Sequence, residues 1–332
     1  MIRISPNSIV YVVCPLDIQT GGTELCHQLV DNLNNKGIIS YMTYVSKDFN
    51  IIDAQIPSGF KKYNVKVCAE IVNTKENIIV FPETYMFLIK KLNVDKMSYI
   101  FWWMSLDNYF NISSIFGYLK FSNKTFKGII SKTINFITRR YPIMTFADLR
   151  KIEGRSLNVF QSTYVNQFLL NQKIYNQLAL SDYINLEFLN LDSTDVIKED
   201  IILYNPLKGF KITKKIINKM EGFNFVPLVN LNRSQLSALM RRAKLYIDFG
   251  NHPGKDRIPR EAVMNNCCII VGKNGSARFF QDLPIYEDYK FDNQDVELVC
   301  ERIAYVMNNY NKCISDFDFI KKRIYQEKSI FE

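Results

Sequence analysis

One pattern constrains this chain more than any other. A short apolar run rich in β-branched residues ends in a polar, glycine-bearing turn, and helical periodicity follows at once. Residues 8–14 (SIVYVVC) are such a run; Pro15 follows, then a turn closing on Thr20-Gly21-Gly22. Leu25, Cys26, Leu29, Val30 and Leu33 then repeat at helical spacing until Gly37, and residues 38–45 read as a second strand. Strand, loop, helix, strand is the opening of a doubly wound parallel sheet, because parallel neighbours need a crossover. Residues 77–81 and 98–104 are further apolar runs, ending in Pro82-Glu83-Thr84 and in Ser105-Leu106-Asp107-Asn108. Residues 157–161 read as a strand and 163–177 as a helix.

The pattern starts again at residue 201, after an acidic stretch at 192–200 (DSTDVIKED) that reads as a linker. Residues 201–204, 223–227, 245–249 and 267–271 are strand candidates. Thr213 is the expected cap of a helix bearing Ile216, Ile217 and Met220. Ser234 is the expected cap of a helix bearing Leu236, Leu239, Met240 and Ala243. A further helix is expected near 259–265. The length, 332 residues, accommodates two such domains. We expect domains over 1–194 and 195–310, and a helical tail over 311–332 that returns to the N-terminal domain. Two α/β domains facing each other leave a cleft at the carboxyl ends of their strands, where open α/β sheets bind ligands.

Composition and missing motifs narrow the chemistry. With 47% hydrophobic and 23% charged residues the chain is neither disordered nor a coiled coil. No run approaches the roughly 18–20 apolar residues that span a bilayer. The N-terminus has no signal-peptide pattern, so a cytoplasmic location is expected. The seven cysteines are irregularly spaced, as free thiols of a reducing compartment would be. The histidines are His27 and His252, and no HExxH, CxxC, Walker or GxSxG motif occurs. A zinc hydrolase, a P-loop NTPase and an α/β-hydrolase are therefore disfavoured.

The strongest chemical signal runs from Asp248 to Ala262 (DFGNHPGKDRIPREA), a polar loop between a strand and a helix. Lys255, Arg257 and Arg260 converge there on a helix N-terminus, which already favours anions through unbonded N–H groups and its dipole. Arginine adds bidentate recognition of phosphate. Glu261, expected in the first helical turn, is placed to accept hydrogen bonds from vicinal hydroxyls. The turn from Gly272 to Ala277, with Gly275 and Ser276, adds backbone N–H groups. Together these point to a diphosphate-and-sugar site rather than a merely solvated basic loop. Gly21 and Gly22 permit close approach of a ligand in the first half, and Lys208 could reach a phosphate in the second. Glu83 and Asp107 each follow a strand and are the candidate general bases. Trp102 or Trp103 could stack on a sugar, although core packing is the plainer role. His27 reads as structural.

Residues 111–155 carry nine basic and two acidic side chains, so most of the net charge of +9 is local. Phe126, Ile129, Ile130, Ile134 and Ile137 share a helical face flanked by Lys124, Lys127, Lys132, Arg139 and Arg140. Such a helix either faces a core or lies on an anionic membrane. The concentration of charge argues against a nucleic-acid partner, as does the absence of a recognition motif.

In order along the chain, these motifs resemble bacterial GT-B glycosyltransferases, in particular the glycogen-synthase-like group that builds capsule and O-antigen polysaccharides. Gly21-Gly22-Thr23-Glu24-Leu25 resembles the family's Gly-Gly-x-Glu loop, and Lys208-Gly209 its Lys-Gly. Pro259-Arg260-Glu261-Ala262 resembles its Glu-Ala segment, whose Glu contacts the donor ribose, and residues 272–277 resemble its next glycine-rich turn. The family's second Glu, eight residues before Glu261, is Pro253 here. The resemblance implies two Rossmann-like domains, a nucleotide-diphosphate sugar as co-substrate and no further cofactor. It also implies a glycan or lipid-linked glycan acceptor, and the basic charge of residues 111–155 points to docking at the inner face of the plasma membrane. Lys208, Lys255, Arg257 and Arg260 would neutralise the leaving diphosphate without a metal ion. Asp107 or Glu83 would stand at the acceptor hydroxyl, with retention or inversion both open. A GT-B nucleotide-sugar epimerase and a non-catalytic glycan- or nucleotide-binding relative are the alternatives.

Overall fold

The computed structural model describes residues 2–114, 119, 129–130, 133–134, 143–185, 188–189 and 196–332. The chain forms two compact units, Met1–Gln161 with Val165–Leu180, and Ser162–Tyr164 with Ser181–Glu332. The turn from the first to the second thus falls at Leu180/Ser181. Of the expected linker, residues 192–195 lie outside the described residues.

The first unit is built on a six-stranded parallel sheet: β1 (Val10–Pro15), β2 (Ser40–Val45), β3 (Ile78–Pro82), β4 (Ser98–Trp103), β5 (Ser156–Phe160) and β6 (Gln177–Ala179). The order is β2-β1-β3-β4-β5-β6. The chain moves from β1 to one side and then returns to its other side, so the carboxyl ends of β1 and β3 flank a topological switch point. Burial on both faces explains the continuous apolar runs: Val10 to Cys14 are all within 2% of full burial. Helices α1 (Gly21–Asn35), α2 (Leu106–Ser113), α3 (Phe146–Lys151) and α4 (Thr163–Asn171) accompany the sheet. The helix expected through residue 177 stops at Asn171, and Lys173 takes a positive φ of 58° just beyond it. Trp102 and Trp103 are core residues. Their Nε1 atoms donate to the Leu180 carbonyl at 3.1 Å and to Asn158 Oδ1 at 2.9 Å.

The second unit repeats the arrangement with five parallel strands: β7 (Glu199–Tyr204), β8 (Asn224–Pro227), β9 (Ala243–Asp248), β10 (Cys268–Gly272) and β11 (Lys290–Phe291). The order β11-β10-β9-β7-β8 puts its switch point between β7 and β9. Its helices are α5 (Phe210–Lys219), α6 (Arg233–Arg242), α7 (Arg257–Met264), α8 (Val296–Asn308), α9 (Tyr310–Cys313) and α10 (Asp318–Phe331). The tail belongs to this unit, and α10 packs against α7. Two expected caps move. Gly209, at φ +62°, precedes α5, and Thr213 is buried inside that helix. Asn232 caps α6 instead of Ser234: its side chain accepts from Gln235 N–H, and Gln235 Oε1 accepts from Asn232 N–H, both at 2.9 Å. That reciprocal pair satisfies two otherwise unbonded donors, which a serine at 234 would not.

Among the described residues no helix is long and apolar enough to cross a membrane. Most of the basic amphipathic helix expected around residues 124–140 lies outside them.

Candidate active site

In the first unit the sequence candidates gather at the switch-point edge. The turn after β1 enters α1 at Gly21, with Thr20 N–H donating to Thr23 Oγ1 at 2.8 Å. A Cβ on Gly22 would meet Met104 Sδ at 3.5 Å, an ordinary contact, so the fold alone does not demand glycine there. Met104 N–H in turn donates to Glu83 Oε2 at 3.1 Å. Glu83 follows β3 directly and is buried. Burial pushes its carboxyl up to about 7, although the N–H groups of Met104 and Ser105 pull the other way. Asp107 lies in the first turn of α2, also buried, behind the Ser105 cap, whose Oγ accepts from Asn108 N–H at 3.1 Å. His27 is structural: Nδ1–H donates to the Thr23 carbonyl and Nε2 accepts from Tyr44 Oη–H, both at 2.7 Å. Burial lowers its pKa, so the ring is neutral.

In the second unit, two separate motifs become one constellation. Lys208-Gly209, after β7, packs against Phe249-Gly250, after β9. A Cβ on Gly209 would fall 2.3 Å from the Phe249 carbonyl carbon, and one on Gly250 would fall 2.5 Å from Lys208 Cβ. Both glycines are therefore required for two loops to touch at the switch point. Lys208 Nζ donates to Asp256 Oδ2 at 2.8 Å. Asp256, the residue before α7, also takes His252 Nδ1 at 3.2 Å. Burial by itself would raise the Asp256 carboxyl, but the His252 hydrogen bond and the Lys208 charge hold it down at about 2. Asp248, at the end of β9, accepts from Tyr246 Oη–H at 2.7 Å and from Gly250 N–H at 2.9 Å. Burial disfavours a charged His252, yet Asp248 and Asp256 outweigh it and raise the imidazole above its ordinary pKa.

The cations expected at the diphosphate are differently placed. Arg260 is 1% exposed. Its Nη2 donates to both oxygens of Asp182 at 2.8 Å, and its Nη1 to Glu327 Oε2 at 2.6 Å. Lys255 Nζ lies 2.8 Å from Glu327 Oε1 and donates to Ser181 Oγ at 3.0 Å. Arg257 Nε is 3.3 Å from Asp182 Oδ2. Burial opposes charge on Asp182, yet the three cations hold its carboxyl well below the carboxylate range. This cluster joins the start of the second unit, the loop before α7 and helix α10. Asp182 and Glu327 carried no local signal; they are distant in sequence and meet Arg260 only through folding.

Three more expectations shift. α7 begins at Arg257, so Glu261 is buried in the second turn rather than lying in the first. Ser276 N–H is spent on the His252 carbonyl at 2.8 Å, and Ser276 Oγ–H on the Gly254 carbonyl. Gly275, at φ +54°, sits so close to the His252 carbonyl oxygen that a Cβ would fall 2.1 Å from it. The turn after β10 thus braces the loop of residues 249–256.

Two parallel sheets of like strand order, each with a polar switch-point edge, are the two Rossmann-like domains of the GT-B fold. No protein-family model matches the chain, and no curated sequence does. Solved structures do. Sucrose-phosphate synthase from Thermosynechococcus elongatus is similar at TM-score 0.61 and 12% identity, over 96% of this chain and 94% of that one. A glycosyltransferase from Rickettsia africae is similar at TM-score 0.60 and 14% identity, over 96% and 93%. Anabaena Alr3699/HepE, solved in complex with UDP-glucose, is similar at TM-score 0.60 and 10% identity, over 96% and 95%.

Proposed function

We propose that the chain is a glycosyltransferase. It moves a sugar from a nucleotide-diphosphate donor to a hydroxyl of a glycan or lipid-linked glycan, in the synthesis of a bacterial surface polysaccharide. The observation that carries this reading is the contact of Lys208-Gly209 with Phe249-Gly250 at the second switch point, beside the N-terminus of α7. Backbone packed without intervening side chains, one partly exposed lysine and a helix N-terminus are what a diphosphate needs.

Lys208 is the cation that neutralises the leaving diphosphate, exchanging Asp256 for phosphate oxygen. Lys255, Arg257 and Arg260 act one step back, holding the loop in shape through Asp182 and Glu327. Glu261 receives the ribose hydroxyls. In the first unit Glu83 is the base that takes the acceptor proton. A carboxyl raised to about 7 holds a proton better than an ordinary carboxylate and is still ionised in a useful fraction at neutral pH. Asp107 serves in the same edge as its neighbour on the following strand's loop. Gly21 and Gly22 let the ligand approach the backbone closely, and at Gly22 the fold itself does not demand glycine. The nine basic and two acidic side chains of residues 111–155 are the charge offered to an anionic membrane.

The test is a thermal-shift screen against UDP, GDP, CMP and their sugars, followed by donor turnover with and without acceptors. A ligand that binds the folded state raises the midpoint with the logarithm of its excess. One nucleotide class should stand out, and its sugar should be consumed only with an acceptor. An epimer formed without acceptor, or no midpoint shift with any nucleotide, rejects the reading.

A further inference from the structure

A lysine and a histidine share one carboxylate oxygen at the second switch point. Asp256 Oδ2 accepts from Lys208 Nζ at 2.8 Å and lies 3.2 Å from His252 Nδ1. His252 is 1% exposed, whereas the Lys208 side chain is 38% exposed. The imidazole is thus held in place, and the lysine is the member that a ligand can reach. On the other edge of the ring, Nε2 is buried without a hydrogen-bond partner and faces Asp248 Oδ1 at 3.9 Å. That is too long for a hydrogen bond and close for a charge. Asp248 also accepts from Tyr246 Oη–H and Gly250 N–H, and Glu261 of α7 acts electrostatically on Tyr246. The turn after β10 meets His252 with backbone: Ser276 N–H donates to its carbonyl, beside Gly275.

Burial opposes a proton on the ring, Asp248 and Asp256 favour one, and the Lys208 charge opposes it. With the ring protonated, Lys208, His252, Asp248 and Asp256 together are neutral. The donor-site reading above, on which this inference rests, moves Lys208 from Asp256 to a phosphate oxygen. His252 then faces both carboxylates without the competing lysine and beside a newly arrived anion. Each change favours its proton. We propose that His252 is a positioning residue that takes up a proton from solvent as the donor diphosphate binds, and so holds Asp256 once Lys208 has left it. Linkage is reciprocal: if the donor favours the proton, the proton favours the donor. Affinity is therefore highest below the pKa of His252 in the empty site. It falls as pH rises through that value and levels off above the higher pKa of the complex.

A chain with two histidines makes the test direct. Imidazole carbons labelled with ¹³C give two NMR signals, and the one lost in His252→Asn is His252. Its pKa should lie above the ordinary histidine value. It should rise by about one unit in Lys208→Ala, which removes the same charge that donor binding would. Titration at or below the ordinary value, or no rise in Lys208→Ala, overturns the proposal. UDP-glucose and GDP-mannose are then titrated into the full chain by calorimetry, at pH values on either side of the pKa that NMR gives. Nucleotide sugars are chosen because, unlike the free nucleotides, they carry no phosphate that titrates there. Whichever binds should lose about 3–10-fold in affinity across the range, since one unit of pKa is tenfold in binding. Proton uptake should appear as a dependence of the heat on the ionisation enthalpy of the buffer. His252→Asn keeps a donor toward Asp256 but cannot titrate, so its affinity should not change with pH. Equal affinity across the range in the unaltered chain, or an unchanged pH slope in a folded His252→Asn, sinks the linkage alone. No binding of either nucleotide sugar at any pH rejects the donor reading, and the linkage falls with it.

Discussion

The two switch-point edges share a topology and differ in their electrostatics. At the first, between β1 and β3, a carboxylate sits buried among backbone N–H groups with no cation among the determinants of its pKa, and burial raises it to about 7. At the second, between β7 and β9, carboxylates and cations are interleaved, and Asp256 is held at about 2. One edge holds a carboxyl that titrates near neutrality; the other keeps Asp256 ionised. The same fold therefore holds one carboxyl raised by burial and another held down by neighbouring cations, and the difference comes from which side chains surround each carboxylate.

Four substitutions probe that contrast, from the largest effect down. Arg260→Ala leaves Asp182 and Glu327 without their buried partner and should cost about 3–5 kcal/mol in urea unfolding. A loss below 1 kcal/mol would show that the buried cluster does not hold the loop. Glu83→Gln should lower transfer about 10²–10⁴-fold while the chain stays folded. In the unaltered chain activity should climb as pH passes about 7, where Glu83 ionises. The sign for stability is opposite: its raised pKa stabilises the folded state below the ordinary carboxylate value, and that stability is lost as pH rises through about 7. A flat activity profile between pH 6 and 8 would remove Glu83 from the role of base.

Lys208→Ala should reduce donor turnover about 10²–10³-fold, with the unfolding midpoint nearly unchanged because Lys208 is partly exposed. Equal losses of stability and turnover would place Lys208 with Arg260 as a structural cation. Gly22→Ala should be the mildest for folding, within about 0.5 kcal/mol by thermal melts, since its Cβ meets only an ordinary contact. Its effect should appear as weaker substrate binding, and an unchanged KM would mean that no ligand uses the space.

Much of the fold was legible because hydrophobic periodicity is local. The runs at 8–14, 77–81 and 267–271 became β1, β3 and β10 with ends displaced by one or two residues. The β6 and β11 strands escaped notice because three and two residues carry no period. Glycine signals held where backbone geometry demanded them: Gly209, Gly250 and Gly275 each admit a contact that a Cβ would block. The cations were harder. Lys208, Lys255, Arg257 and Arg260 look alike in a sequence, and each could face solvent, phosphate or an acid.

The sequence by itself determined two parallel α/β sheets and the loops at their carboxyl ends, because strand period, helix period and glycine placement are properties of neighbouring residues. Only the tertiary structure decided which charges are spent. Asp182 and Glu327 reach Arg260 across 78 and 67 residues, burying it, while His252 Nε2 is left facing Asp248. Electrostatic roles depend on burial and on partners far along the chain, and those exist only once the chain has folded.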